Sequence, residues 1–122
     1  MSRVVHFEIP VVDIERSIDF YQKVLGWNFQ KWDGPELYYL VSTGSNDEPG
    51  INGGLLKKRD PRQPVVNTIQ VENVDATISL VEKNGGKCCW PKTPVPGVGW
   101  LAYFTDPEGN THGAMQFDSN AK

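Results

Sequence analysis

The chain repeats part of itself at an offset of 60 residues. Residues 9–26 (IPVVDIERSIDFYQKVLG) align with residues 69–86 (IQVENVDATISLVEKNGG). The identical pairs are Ile9/Ile69, Val11/Val71, Ile18/Ile78, Lys23/Lys83 and Gly26/Gly86. A match at a fixed period usually marks one supersecondary unit that is used more than once. Two copies fill a chain of 122 residues, so we predict a duplicated module and not a solenoid.

Each half of the sequence predicts a strand, a helix and three further strands. Residues 4–9 alternate between apolar and polar, which is typical of a half-buried strand with His6 and Glu8 on its polar face. Asp13 is a good N-cap, and Gly26 is a good helix terminator. The further strands are predicted near 27–33, 36–42 and 49–57, and the second half is predicted as strand 65–72, helix 74–84 and strands near 87–92, 98–105 and 110–117.

These elements predict a single α+β domain of two βαβββ modules, which form a curved sheet around a central cavity. The first module covers about 1–57 and the second about 65–117. A linker at 58–64, which contains two prolines, separates them, and a tail follows at 118–122. A parallel βαβ fold is the alternative, but it needs more than two helices.

The bulk composition limits the partners. A formal charge of −3 and a pI near 5.3 argue against nucleic acid and against anionic membranes. No apolar run has membrane-spanning length, and we expect a cytoplasmic protein. Cys88 and Cys89 are adjacent, so a bridge between them would be strained. They are interpreted as reduced thiols, with reactive thiols as the alternative.

The last hairpin can be predicted residue by residue. The T-D-P-E-G-N sequence at 105–110 suits a three-residue loop in which Gly109 adopts a left-handed conformation. If Asp106 and Asn110 close this loop, Tyr103 lies opposite Gly113, and cross-strand partners share a face. The same count places Leu101 opposite Met115 on that face, and places Phe104 and His112 on the other.

Two segments resemble a known family. HFEIPVVDIERSIDFYQKVLGW at 6–27 and GWLAYFTDPEGN at 99–110 resemble the vicinal oxygen chelate superfamily. This superfamily includes glyoxalase I, extradiol dioxygenases, and bleomycin- and fosfomycin-resistance proteins. The resemblance extends over nearly the whole chain. It implies paired βαβββ modules that enclose a cavity, and a homodimer.

The resemblance also implies a divalent metal, held by the first and fourth strands of each module. His6 matches the first of these positions, and its counterpart in the second half is Val66. The last strand offers Gly113, and the offset of 60 makes Gly53 its counterpart. Glycine and valine carry no donor atom, so we expect no metal and no other cofactor. His112 is the nearest other donor, but the hairpin count points it away from the cavity.

The polar residues left on the cavity wall are the candidate catalytic groups. His6 and Glu8 come from the first half and Tyr103 from the last hairpin, while Thr68 and Gln70 are candidate ligand contacts. A carboxylate beside an imidazole suits general acid–base work. Tyr103 lies ten residues before Gly113, the spacing that a catalytic tyrosine keeps from the metal carboxylate in extradiol dioxygenases. A hydrogen-bond network that only stiffens the fold is the alternative.

Apolar and aromatic residues indicate the type of ligand. Trp32 and Trp100 lie near turns where they could stack on a planar ligand at the cavity rim, although tryptophans that cap the core are the alternative. Leu101 and Met115 complete the predicted ligand contacts. The sequence therefore predicts a small-molecule-binding protein, with lyase or isomerase chemistry by Glu8 and His6. A non-catalytic protein that sequesters an aromatic metabolite or antibiotic is the alternative.

Overall fold

The computed structural model describes residues 1–122 as two compact units, which we call the N-terminal module (His6–Val65) and the C-terminal module (Met1–Val5 with Val66–Lys122). The elements are β1 (Val4–Val11), α1 (Ile14–Leu25), β2 (Asn28–Lys31), β3 (Tyr38–Ser42), β4 (Gly53–Lys57), β5 (Val66–Gln70), α2 (Val74–Lys83), β6 (Lys87–Val95), β7 (Gly99–Thr105) and β8 (Thr111–Phe117). The βαβββ order occurs twice, which confirms the predicted fold class. Neither helix is long and apolar enough to cross a membrane.

Local signals fix both helices. The Asp13 side chain accepts a hydrogen bond from the backbone N–H of Arg16, and α1 ends at Gly26 in the left-handed conformation, with φ of 71°. Asn73 caps α2 in the same way through the N–H of Ala76. Such caps satisfy backbone donors that the first turn of a helix leaves unpaired. The predicted N-cap Asp13 is therefore confirmed.

The sheet of the N-terminal module has the order β2-β3-β4-β1, with β1 parallel to β4 and the other pairs antiparallel. One face packs against α1 through an aromatic cluster, in which the Trp27 ring lies 5.7 Å from Phe7 and 5.1 Å from Tyr21 between centroids. The other face, which we call the N-terminal distal face, carries His6, Glu8, Tyr38, Leu40, Gly54 and Leu56.

The sheet of the C-terminal module has the order β5-β8-β7-β6. Its helix-facing side holds the buried cluster Val71, Val74, Ala102 and Ala114, with Ile69, Ile78 and Phe104 packed against it. The opposite side, which we call the C-terminal distal face, carries Thr68, Gln70, Leu101, Tyr103, Gly113 and Met115.

The β7–β8 hairpin has the predicted register. Tyr103 pairs with Gly113 and Leu101 with Met115. The loop closes by a 2.9 Å hydrogen bond from the N–H of Asp106 to the carbonyl of Asn110, and Gly109 has φ of 86°. Hydrogen bonds from Asn110, and further ones from Glu108 and His112, lower the pKa of Asp106 to about 2.

The parity argument for His112 is also confirmed. Its ring lies 5.4 Å from that of Phe104 between centroids. Phe104 packs against the helix-facing core, so His112 lies on that side and away from Tyr103.

Candidate functional site

Three polar side chains of the N-terminal distal face form one hydrogen-bonded chain, which we call the trio (His6, Glu8 and Tyr38). The Tyr38 hydroxyl donates to Oε2 of Glu8 at 2.9 Å, and Nε2 of His6 lies 2.7 Å from the same hydroxyl oxygen. A phenol carries one proton, and here it points at Glu8. Nε2 of His6 must therefore supply the proton of the second bond, which leaves the lone pair of the neutral ring on Nδ1.

The strand register explains how Tyr38 reaches the other two. His6 and Glu8 lie two residues apart on β1, and β4 separates β1 from β3. Glu8 pairs with Gly54, and Tyr38 pairs with Leu56 two residues further along β4. The Tyr38 ring crosses over Gly54, where a Cβ atom would overlap its hydroxyl end. A glycine within a strand often marks such a close approach.

Burial affects the charged forms of Glu8 and His6. Glu8 is only 9 % exposed, whereas acidic side chains are rarely so buried without a partner. Burial lowers the pKa of His6 below its usual 6.5, and the negative charge of Glu8 partly opposes that change. The site thus holds a buried acid, a phenol and a neutral imidazole in hydrogen-bond contact, which is a path along which a proton can move.

Apolar side chains flank the trio. The Trp32 ring meets the Tyr38 ring edge-on, with centroids 6.0 Å apart, and its backbone N–H donates to the Tyr38 carbonyl at 2.8 Å. Leu40 lies on the same face and is 41 % exposed. The structure therefore brings the predicted residue Trp32 against Tyr38, which joins His6 and Glu8. Tyr38 and Leu40 are additions that the sequence did not indicate.

The C-terminal distal face carries most of the other predicted residues. A Cβ atom on Gly113 would lie 3.2 Å from the Thr68 hydroxyl and 3.3 Å from the Tyr103 ring, so these two side chains flank the glycine. Gln70 and Leu101 both pair with Met115 on this face. Tyr103 thus lies among Thr68, Gln70, Leu101 and Met115, as the strand parity predicts.

Trp100 lies on a different face of the C-terminal sheet from the other predicted ligand contacts of this module. Trp100 pairs with Gln116 and so faces the helix side, opposite to Leu101 and Tyr103. Its indole N–H donates to Asp118 at 3.2 Å, and the Lys92 ammonium lies 4.9 Å from its ring centroid. Alternation along β7 turns Trp100 away from the face that carries Leu101 and Tyr103, and its contact with a ligand stays a prediction of the sequence.

Trp90 is the tryptophan that lies next to Tyr103. It pairs with Tyr103 and is 44 % exposed, so it extends the C-terminal distal face with an aromatic surface. The register of β6 shifts on both sides of Trp90. Such a bulge breaks the simple alternation from which the sequence was interpreted.

Comparisons with known proteins identify the family. Residues 3–44 match the family model described as bleomycin resistance protein-like N-terminal. A glyoxylase-like domain-containing protein of Didymella fabae is 34% identical over 110 residues, which is 86% of each chain. The chain belongs to the glyoxalase/bleomycin-resistance superfamily. A lactoylglutathione lyase of Escherichia coli O157:H7 is 30% identical over 117 residues, or 88% of this chain and 87% of that protein.

Several solved structures show the same fold. A hypothetical protein of Bacillus halodurans C-125 has a TM-score of 0.72 at 16% identity, over 99% of this chain and 98% of its own. Methylmalonyl-CoA epimerase from Mycobacterium tuberculosis has a TM-score of 0.64 at 15% identity, over 91% and 85%. At such identities the likeness is one of fold alone.

The residues of this superfamily member do not fit the metal site that its fold implies. The first-strand position holds His6, but its β4 neighbours are glycines, and Val66 and Gly113 provide no donor in the other module. No three His, Cys, Asp or Glu side chains lie close enough together to hold a metal ion. The Tyr38 ring covers Gly54, the space from which a fourth-strand ligand would extend. We therefore derive no chemistry through a metal.

Gly53 is not the structural counterpart of Gly113 that the offset of 60 predicts. The offset of 60 makes Gly53 the counterpart of Gly113, but Gly113 pairs with Thr68 on the distal face. Gly53 pairs with Phe7 and faces the aromatic cluster beside α1. Gly54, which pairs with Glu8, is the true counterpart.

The protonation of His6 provides a first prediction. The pKa of His6, followed through its ring resonances in an NMR titration, should lie below 6.5. In Glu8→Gln it should fall further, because the carboxylate charge that favours the imidazolium is gone. The His112 chemical shifts in the same spectra should be equal in the two proteins. A rise of the His6 pKa in Glu8→Gln would contradict the described contact.

Proposed function

We propose that this protein binds a small carbonyl or hydroxylated compound against the N-terminal distal face and moves a proton on it without a metal. The reaction class is that of an isomerase or lyase, with Glu8, Tyr38 and His6 as catalytic residues. The observation that carries the proposal is the chain of 2.7 and 2.9 Å contacts that joins an imidazole, a phenol and a buried carboxylate.

The geometry suggests the direction of proton flow. Nδ1 of neutral His6 takes a proton from a carbon next to the substrate carbonyl, while Nε2 gives its proton to Tyr38. The phenolic proton passes to Glu8, so the carboxylate becomes neutral as the substrate becomes an enolate. Return of the proton to a different atom or face gives an isomer, and loss of a leaving group from the enolate gives a lyase product. A hydrogen-bonded relay needs no large movement of heavy atoms.

The identified relatives support a small-molecule substrate. One relative is named a lactoylglutathione lyase, a name that describes chemistry on a small compound. We extend from it only the substrate size and the broad reaction class. Tyr103, which lies beside Thr68 and Gly113 on the C-terminal distal face, has no step in this proposal, and its catalytic role stays a prediction of the sequence.

A second candidate function is non-catalytic binding of an aromatic compound. Trp90, which is 44 % exposed and adjacent to Tyr103, favours it because an exposed indole beside a phenol suits stacking on a planar ring. Whichever function holds, the homodimer and the cytoplasmic location stay predictions of the sequence.

Hydrogen–deuterium exchange tests the proposed catalysis. A panel of small ketones and 2-hydroxy ketones in deuterated buffer with chelator should lose proton NMR signal next to the carbonyl when the protein is present. Glu8→Gln and Tyr38→Phe should slow this exchange by about 10²-fold or more, the usual range of general acid–base catalysis. Tyr39→Phe is the matched control, since Tyr39 is next in the chain but pairs with Leu55 on the helix side.

Three results would count against this proposal. Exchange that persists in both Glu8→Gln and Tyr38→Phe would show that the trio does not take part in the reaction. Exchange that the chelator abolishes would show that a metal is needed. Quenching of tryptophan fluorescence by aromatic compounds, with no exchange in any member of the panel, would favour the second candidate.

A further inference from the structure

We infer that a groove beside the trio binds a negatively charged group of the substrate, a carboxylate or a phosphate. This inference rests on the proposed function for the site of reaction and adds the substrate class, an anionic carbonyl compound. The groove belongs to the N-terminal module, and its lining residues are Glu36, Leu37, Leu56, Lys57, Lys58 and Arg59.

The groove begins next to the proposed reaction site. Leu56 in its wall pairs directly with Tyr38, and Leu37 is the residue before Tyr38 in the chain. The phenol lies over Gly54, three residues before Lys57 on β4, which is about 10 Å at the usual rise of about 3.3 Å per residue, so an extended substrate chain of about eight atoms would span the two. Leu37 and Leu56 offer an apolar path for that chain between the phenol and the charged end of the groove.

The charge of the groove contrasts with that of the protein. The chain has a formal charge of −3, yet residues 57–59 form its one run of three consecutive cations. This concentration of positive charge beside a candidate site would attract an anion and raise its local concentration. Its position at the apolar path suggests an amphipathic substrate with an anionic end.

Hydrogen bonds of the backbone hold the basic run in place. The N–H of Lys58 donates to the carbonyl of Val11 at 2.8 Å, and the N–H of Arg59 donates to the Gln63 side chain at 2.8 Å. The backbone that carries the binding side chains is thus ordered before a ligand arrives, which lowers the entropy cost of binding.

A carboxylate of the protein already lies on the guanidinium of the groove. Nη2 of Arg59 is 3.1 Å from both carboxylate oxygens of Glu36, and the two side chains are 56% and 61% exposed. An exposed ion pair of this kind adds little stability, so another carboxylate or a phosphate can replace Glu36 at low cost. Glu36 thus shows the chemistry that the groove accepts and competes with its ligand.

Replacing Glu36, the carboxylate that competes for Arg59, tests anion binding in the groove most directly. In a titration of the folded protein with inorganic phosphate or with succinate, the backbone amide resonances of residues 57–59 should shift at millimolar concentration. Glu36→Gln should bind about threefold more tightly, because the resident carboxylate is gone. Arg59→Gln and Lys58→Gln should weaken binding. The stronger of the two anions identifies which group the groove prefers.

The exposed pair Lys23–Asp19 provides the matched controls. Its charged atoms lie 3.0 Å apart, and its side chains are 74% and 61% exposed. Asp19→Asn removes one negative charge, as Glu36→Gln does, and Lys23→Gln removes one positive charge, as Arg59→Gln does, but neither control alters the groove. Equal tightening in Asp19→Asn and Glu36→Gln would overturn the inference, since only bulk charge would then matter. Absence of shifts at 57–59 would overturn it as well.

The two proposals can fail separately. Glu8→Gln should leave the phosphate titration unchanged, because it alters the trio and not the groove. Arg59→Gln should lower the exchange rate of anionic ketones while neutral ketones react as before. If anionic and neutral ketones exchange equally well in wild type and in Arg59→Gln, the trio acts without the groove, and the inference is wrong while the proposed function stands.

Discussion

Replacement of Gly54 by alanine should disconnect the trio while the N-terminal module stays folded. A Cβ atom at this position would overlap the hydroxyl end of the Tyr38 ring. That end belongs to a side chain that can rotate away, so the backbone need not move. The ring would then lose its contacts with His6 and Glu8. We expect proton exchange to fall by about 10²-fold, with a loss of about 1–2 kcal/mol in the free energy of unfolding.

A second glycine and a double variant sharpen this experiment. Gly44→Ala is the matched control, because its Cβ atom would meet only Glu48, at an ordinary 3.8 Å. Gly54→Ala combined with Tyr38→Phe should be no slower than the worse single variant, since both changes break the same chain of contacts. Wild-type exchange in Gly54→Ala, or fully additive losses in the double variant, would show that the contacts of Tyr38 do not matter for the chemistry.

The sequence predicted the elements well because local rules dominate them. Asp13 and Asn73 cap their helices by contacts within four residues. The register of the last hairpin follows from a short loop, in which the left-handed Gly109 leaves few alternatives. Strand parity then assigned His6 and Glu8 to one face without further information.

Tyr38 was missed because its role depends on three strands at once. Parity within β3 can assign a face, but only the register of β3, β4 and β1 shows that the ring reaches Glu8. The available signal was the pair of glycines at 53–54 in a predicted strand. Glycine there weakens a strand unless another group approaches closely, and at Gly54 that group is the phenol.

The error at Gly53 has a related cause. A fixed offset is valid only while both halves have loops of equal length. The first half joins its last two strands, which end at Ser42 and begin at Gly53, by a longer segment than the short hairpin loop of the second half. Glu8 and Thr68 differ by 60 positions, but their β4 and β8 partners Gly54 and Gly113 differ by 59.

Gly53→Ala should reduce stability more than chemistry, whereas Gly54→Ala should reduce chemistry more than stability, although the two glycines are neighbours. Its Cβ atom would lie 2.5 Å from the backbone carbonyl oxygen of Phe7 and 2.5 Å from its ring, on the face that packs against α1. The strand backbone cannot rotate away, so β1 and β4 must separate locally. We expect a loss of about 3 kcal/mol in the free energy of unfolding, or about 10 °C in the midpoint of thermal unfolding.

A comparison of the Gly53→Ala and Gly54→Ala variants separates effects on stability from effects on proton exchange. Gly53→Ala should unfold at a clearly lower temperature but keep more of its proton exchange below that temperature than Gly54→Ala does, because its new Cβ atom lies on the other face from the trio. Gly54→Ala should lose exchange with the smaller change in stability. Equal losses of stability in the two variants would mean that Tyr38 is as fixed as the backbone of Phe7, and that Gly54 serves packing more than the hydrogen-bonded chain.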